Sequence, residues 1–157
     1  MAYEHTEVPV ARTQEALRRL IQAHKGFGLA VVSEQDPTGK EASQEGFQAK
    51  VLIDGVPYIV KIMAKVKSAP KYSSDRQKEI FREREERRIW RVLYYHMKSV
   101  FEASDSGVME FRELMLPFIV MPRDGRTIAE HILPKLAAAL ADDPRHLLAA
   151  ATEDSRK

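Results

Sequence analysis

Cysteine is absent from this 157-residue chain, which removes disulfide frameworks and thiolate metal centres from consideration and fits a reducing interior. Long hydrophobic runs are missing too. None approaches the roughly 18 residues that span a bilayer, so no membrane segment is expected. The opening residues, MAYEHTEVPV, lack a basic stretch followed by an apolar one, so no secretory signal is expected and the localisation reads as cytoplasmic. Neither sign of charge dominates: 25 Lys and Arg face 23 Asp and Glu, and a net +2 names no partner. The seven glycines form neither a dinucleotide-binding fingerprint nor a P-loop, and the chain contains no H-E-x-x-H and no G-x-S-x-G. No cofactor is expected.

What remains has the balance of a globular protein, with 44% hydrophobic and 31% charged residues. The expectation is one α+β domain over residues 10–141, with residues 1–9 and 142–157 as loose termini. Charge is distributed unevenly. From Lys50 to Lys98 there are thirteen Lys and Arg against six Asp and Glu, between two mildly acidic flanks.

Thr13 reads as an N-cap opening a short amphipathic helix with Leu17, Leu20, Ile21 and His24 on one side, stopped by Gly26. Phe27 to Ser33 is apolar and partly β-branched, which predicts a strand. The polar stretch Glu34 to Glu45, with Pro37 and Gly39, reads as a loop. Phe47, Ala49 and Val51 then alternate with polar neighbours, Asp54-Gly55 supplies a hairpin turn, and Tyr58, Val60 and Ile62 alternate on the return strand. Lys65, Lys67 and Lys71 surround Pro70 in an exposed connection. Val108 to Leu116 is expected as one short helix, and Phe118 to Met121 as a fourth strand or a buried extended segment. Thr127 and Glu130 form a capping box for a last helix bearing Ile128, Ile132, Leu133 and Leu136, with a kink expected at Pro134. A weak helical turn is expected after Pro144, and residues 152–157 are expected to fray. The fold class is therefore α+β: a mainly antiparallel sheet of three to four strands packed by one long helix, with a helical C-terminal section.

That long helix, Ser74 to Ala103, is the organising element. On a wheel, Ile89, Trp90, Leu93, Met97, Val100 and Phe101 share an arc of roughly 120°. Arg84, Arg87, Arg88, Arg91, Tyr95 and Lys98 share an arc of similar width on nearly the opposite side. Upstream of Ile89 the apolar arc holds Arg82, Glu83 and Glu86, so Ser74 to Arg88 is expected to stand largely in solvent, with pairs such as Glu83–Arg87 and Glu79–Arg82. Two readings of the basic arc are open. One is a solvated helix face laced with ion pairs. The other joins Arg84, Arg87, Arg88, Arg91, Tyr95 and Lys98 to Lys65, Lys67 and Lys71 as one binding surface, with Tyr94 and Tyr95 as stacking faces. Glu79, Glu83, Glu85 and Glu86 interrupt that charge.

No catalytic constellation emerges. His5, His24, His96, His131 and His146 are scattered without metal-binding spacing. His96 reads as a partly buried structural residue, and Glu110 with Glu113 as an exposed acidic pair. An enzyme would have to assemble its site from dispersed residues such as Glu110, Asp124 and His131.

The region from Arg88 to Leu136 resembles a group of uncharacterised small phage and prophage proteins. The resemblance rests on Trp90, Arg91 and Lys98 in the helix, Gly107, Phe111 and Leu116 around the short helix, and Asp124, Gly125, Arg126 and Thr127 at the turn into the last helix. Arg112 follows Phe111 where an acid is the pattern, and Arg123 separates Pro122 from Asp124. The resemblance implies a viral or mobile-element origin and no catalytic residues. The leading expectation is a non-enzymatic accessory protein that binds a host or phage macromolecule through a basic, mixed-charge surface. The alternatives are a nucleic-acid-binding module using the same surface, or an enzyme. Partners would be protein or nucleic acid, not membrane, and no oligomeric state is readable.

Overall fold

The computed structural model describes residue 3 and residues 5–35, 37–38 and 42–142. The expected turn after Pro144, the fraying end, Gly39 and His146 lie outside the described residues. The architecture is α+β: helix α1 (Val10–Ala23), strands β1 (Phe27–Glu34), β2 (Gln44–Ile53) and β3 (Val56–Lys65), the long helix α2 (Asp75–Asp105), a short α3 (Phe111–Met115) running into a 3-10 turn (Leu116–Phe118), and α4 (Ile128–Asp142). Among the described residues the sheet has three antiparallel strands in the order β1-β2-β3.

Register follows from the turn. Asp54 (φ 51°) and Gly55 (φ 78°) both take left-handed backbone, the combination that a two-residue hairpin with native twist requires. It sets Phe47 opposite Ile62 and Ala49 opposite Val60. With side chains alternating, Phe47, Ala49, Val51 and Ile53 of β2 and Val60 and Ile62 of β3 are buried on one face. Against that face lie Ile89, Trp90, Leu93, Met97, Val100 and Phe101 of α2, with Leu17 and Ile21 of α1 and Met115 of α3 completing the core. Trp90 is fully buried, and its indole N–H donates to the Glu45 carboxylate at 2.8 Å. A buried indole donor needs such a partner.

The start of α1 differs from the sequence expectation. The N-cap is Pro9, whose fixed φ (−58°) and extended ψ (144°) launch the helix, while Thr13 is buried one turn inside it. The stop also differs in its chemistry. Lys25 carries the left-handed residue (φ 63°), its N–H donates to the Gln22 carbonyl, and the Gly26 N–H donates to the Ile21 carbonyl at 2.9 Å. This is the paired hydrogen-bond pattern of a Schellman ending. Gly26 is required for space: a Cβ there would collide with the Ile21 side chain and lie 3.0 Å from the Lys50 carbonyl.

The expected fourth strand reduces to two isolated bridges, Val60 with Ile119 and Val120 with Thr127, and a hydrogen bond from the Val120 N–H to the Ile59 carbonyl at 2.8 Å. Pro117 and Pro122 bracket too few residues for a ladder. The short helix also begins later than expected, at Phe111, because the Val108 and Met109 N–H groups donate back to the Ala103 carbonyl at the end of α2 and Glu110, the N-cap, takes extended backbone (φ −81°, ψ 136°). The Thr127–Glu130 capping box forms: the Thr127 N–H donates to the Glu130 carboxylate at 2.6 Å, and the Glu130 N–H donates to the Thr127 hydroxyl at 3.3 Å. Helix α4 continues through Pro134. The carbonyl that Pro134 cannot satisfy, that of Glu130, accepts from the Arg126 guanidinium at 3.1 Å instead. Ile132, Leu133 and Leu136 of α4 are exposed.

Candidate interaction surface

Helix α2 has 31 residues, about 46 Å of helix, and only its second half lies on the core. Its first turn is fixed by a capping box. The Gln77 N–H donates to the Ser74 hydroxyl at 3.3 Å, and the Ser74 N–H donates to the Gln77 side chain at 2.9 Å. Ser74 to Arg88 stands largely in solvent, as expected, with one residue the exception. Glu85 is buried, 5% exposed. Its carboxylate receives two guanidinium N–H groups of Arg88, at 2.6 and 2.8 Å, and the backbone N–H of Lys67 at 3.0 Å. The Arg88 fork, then the Lys67 N–H, holds the Glu85 carboxyl below its usual range against the opposing effect of burial. The loop after β3 is thus tied to the helix through a glutamate that the wheel had assigned to the surface. Among the described residues the ion pairs on this half are Arg88–Glu85 and Arg82–Glu86, with Lys78–Asp75 at the limit of contact. Glu83–Arg87 and Glu79–Arg82 are not among the ion pairs of the described residues.

The structure sorts the sequence-derived surface into three groups. Lys65, Lys67, Lys71 and Arg84 are exposed and form no ion pair with a described residue. Arg84 lines a shallow hollow with Pro70, Tyr72, Ser73 and Phe81, so the lysine loop and the helical stripe meet at this point. Arg88 belongs to the Glu85 pair, and its side chain is only 17% exposed. Arg87, Arg91, Tyr95 and Lys98 continue the stripe over about 20 Å from Arg84, one helical turn apart in succession. Arg91 lies over the rings of both Tyr94 and Tyr95, at 5.6 and 5.1 Å, and donates to the Tyr95 hydroxyl at 3.2 Å. Lys98 lies 6.0 Å from the Tyr95 ring and 3.9 Å from Glu102.

Neither tyrosine presents the free stacking face that the sequence suggested. Tyr94 is half-buried against the core. Tyr95 is covered by Tyr3, whose ring stacks on it at 5.0 Å and within 5° of parallel. Two residues before α1 therefore belong to the surface and were missed: Tyr3, and Thr6, whose carbonyl accepts from Arg87 Nε at 3.2 Å. The one available signal was Tyr3 itself, the single Tyr, Phe or Trp among residues 1–9.

The residues considered for a dispersed enzyme site are only partly brought together. Asp124 and His131 approach to 2.9 Å, while Glu110 is engaged elsewhere, by Arg112 at 2.6 Å. The Arg126 N–H, donating to Asp124 in the turn, and then His131 hold the Asp124 carboxyl below its usual range. This pair closes the turn into α4. His96 meets Phe118 edge-on at 5.6 Å; the residue as a whole stays accessible, but burial of its ring holds the imidazole below its usual range, in keeping with a partly buried residue. Among the described residues no group of three or more His, Asp or Glu could hold a metal ion, and no helix is long and apolar enough to cross a membrane.

Fold and surface together define an α+β protein whose small antiparallel sheet is backed by a long helix with a mixed-charge outer face. No family profile, curated protein or solved structure matches this chain.

Proposed function

We propose that this is a non-enzymatic accessory protein of phage type that binds an acidic region of a partner protein, from host or phage, through the Lys65–Lys71 loop and the Arg84–Lys98 stripe. The observation that carries this reading is the exposure of Lys65, Lys67, Lys71 and Arg84 without ion-pair partners among the described residues, beside a stripe where Arg87 meets a carbonyl and Arg91 two rings while Arg88 and Lys98 pair with Glu85 and Glu102. Clustered, unneutralised cations raise the local concentration of anionic partners and steer their approach. The resemblance of the Arg88–Leu136 region to small phage proteins supports the origin. A second reading, a nucleic-acid-binding module on the same surface, is favoured by Arg91 over two tyrosine rings, because stacking beside cations is how single strands are held. It is disfavoured by the coverage of both rings and by the exposed Glu79 and Glu83 on the flank.

The two readings separate in a titration of the chain with poly-glutamate and with oligothymidylate at low and moderate salt. The expected result is tighter binding of poly-glutamate, weakened roughly tenfold or more by Arg84→Glu with Arg91→Glu. Preference for the oligonucleotide with a steep salt slope selects the nucleic-acid reading. Binding of neither probe overturns both.

A further inference from the structure

The N-terminal arm occupies the stripe in the way that a bound peptide would. The Tyr3 ring covers Tyr95, and the carbonyl three residues on, that of Thr6, receives the Arg87 N–H. A turn, closed by the Thr6 N–H donating to the Tyr3 carbonyl at 3.3 Å, sets that spacing. On the helix, Arg87 and Tyr95 are two turns apart, about 12 Å, and the arm spans the part of the stripe between them. The contacts are shallow. Tyr3 remains 37% exposed and Tyr95 36%. Tyr3 also holds a left-handed backbone, φ 67°, which a tyrosine adopts only under constraint, so docking the arm works against its own conformational preference. Among the described residues the arm meets the stripe through one ring stack and one hydrogen bond, and it carries strain that release would relieve, which favours exchange.

We propose that the arm is an internal stand-in for the partner: the stripe binds a peptide segment that carries an aromatic side chain followed, across one turn, by a free backbone carbonyl, with acidic residues beside them, and the arm must leave for that segment to bind. This rests on the protein-binding reading above. It adds the chemistry of the ligand and a built-in competitor. Acidic neighbours suit the ligand because Arg84 and Lys98 flank the two contact points, Arg91 lies between them, and Arg91 meets no carboxylate among the described residues.

The test uses a labelled synthetic peptide of residues 1–8 and two full-length chains, the intact protein and Tyr3→Ala, followed by fluorescence polarisation. Losing one stack from the internal competitor should let the peptide bind Tyr3→Ala roughly fivefold or more tighter than the intact chain, and a peptide with alanine in place of its tyrosine should lose most of that affinity. Arg87→Ala in the Tyr3→Ala background should weaken the peptide further. Equal affinity for both chains, or equal affinity of both peptides, overturns the proposal. So does displacement of the peptide from Tyr3→Ala by oligothymidylate but not by poly-glutamate, because the ligand class would then be wrong. Failure here is distinguishable from failure of the function itself. If poly-glutamate binds and charge reversal abolishes it while the peptide does not bind, the arm proposal falls and the acidic-partner reading stands. If poly-glutamate does not bind either, both fall.

Discussion

The two halves of α2 are fixed to the same sheet by opposite chemistry. From Ile89 to Phe101 the helix is held by apolar burial around Trp90. From Asp75 to Arg88 the one buried side chain is a carboxylate, Glu85, held by Arg88 and by the backbone of the loop that follows β3. Apolar burial is non-directional and grows with area. The polar anchor gains little net stability from each bond, yet it fails badly when one partner is removed. The apolar half therefore sets how stable the domain is, and the polar half sets where the lysine loop sits relative to the stripe. The largest expected effect tests the first part of that statement. Trp90→Ala empties a central site and leaves the Glu45 carboxylate without its donor, and it should cost about 3–5 kcal/mol, read as a drop in the urea midpoint. A loss below about 1 kcal/mol would mean that α2 is not anchored there.

The polar anchor should show a smaller loss with a pH signature. Glu85→Gln removes the charge that Arg88 and the Lys67 N–H serve, and about 2–3 kcal/mol should be lost near neutral pH. The sign follows from the depressed carboxyl. The contribution is fully present above the unfolded value of 4.5 and is lost as pH falls through the lower folded value, where the wild-type carboxyl also takes up a proton. Midpoints of wild type and Glu85→Gln measured from neutral pH downward should therefore converge in the acid range. A constant gap would show that the glutamine disturbs packing rather than charge. Exchange of the Lys67 amide should quicken in the variant while amides around Trp90 keep their protection.

Where the sequence was readable, a local pattern coincided with a structural rule. The apolar positions from Ile89 to Phe101 recur at helical spacing and are buried, Asp54-Gly55 fits a two-residue hairpin, and Thr127 with Glu130 closes its capping box. Glu85 could not be picked out, because it stands among Glu79, Glu83 and Glu86 and is distinguished only by a backbone N–H eighteen residues away. The arm was illegible for a similar reason: nothing local to Tyr3 says that it faces Tyr95. The surface followed the same division. The helical stripe was visible as spacing, whereas removal of Arg88 into an ion pair and coverage of Tyr95 depend on tertiary partners.

Thr13 gives the comparison its finest test, because it is a buried polar group of the opposite kind to Glu85. It was expected to cap α1. Instead Pro9 starts the helix, and the turn this adds carries Thr13 onto the core face beside Leu17, where it is 1% exposed. Its hydroxyl has no hydrogen-bond partner among the described residues. A glutamate with three donors is costly to remove, whereas a hydroxyl with none is costly to keep, since it lost its water on folding and gained nothing in return. Thr13→Val keeps the β-branched shape and deletes the unsatisfied group. It should leave stability unchanged or raise it by up to about 1 kcal/mol, while Thr13→Ala, which opens space in the core, should lower it. Both shifts are readable as urea midpoints. If Thr13→Val instead destabilises the protein by as much as Thr13→Ala does, the hydroxyl is bonded, with the Pro9 carbonyl one turn earlier as the nearest backbone acceptor in the helical pattern, and α1 would share the polar anchoring seen in the first half of α2.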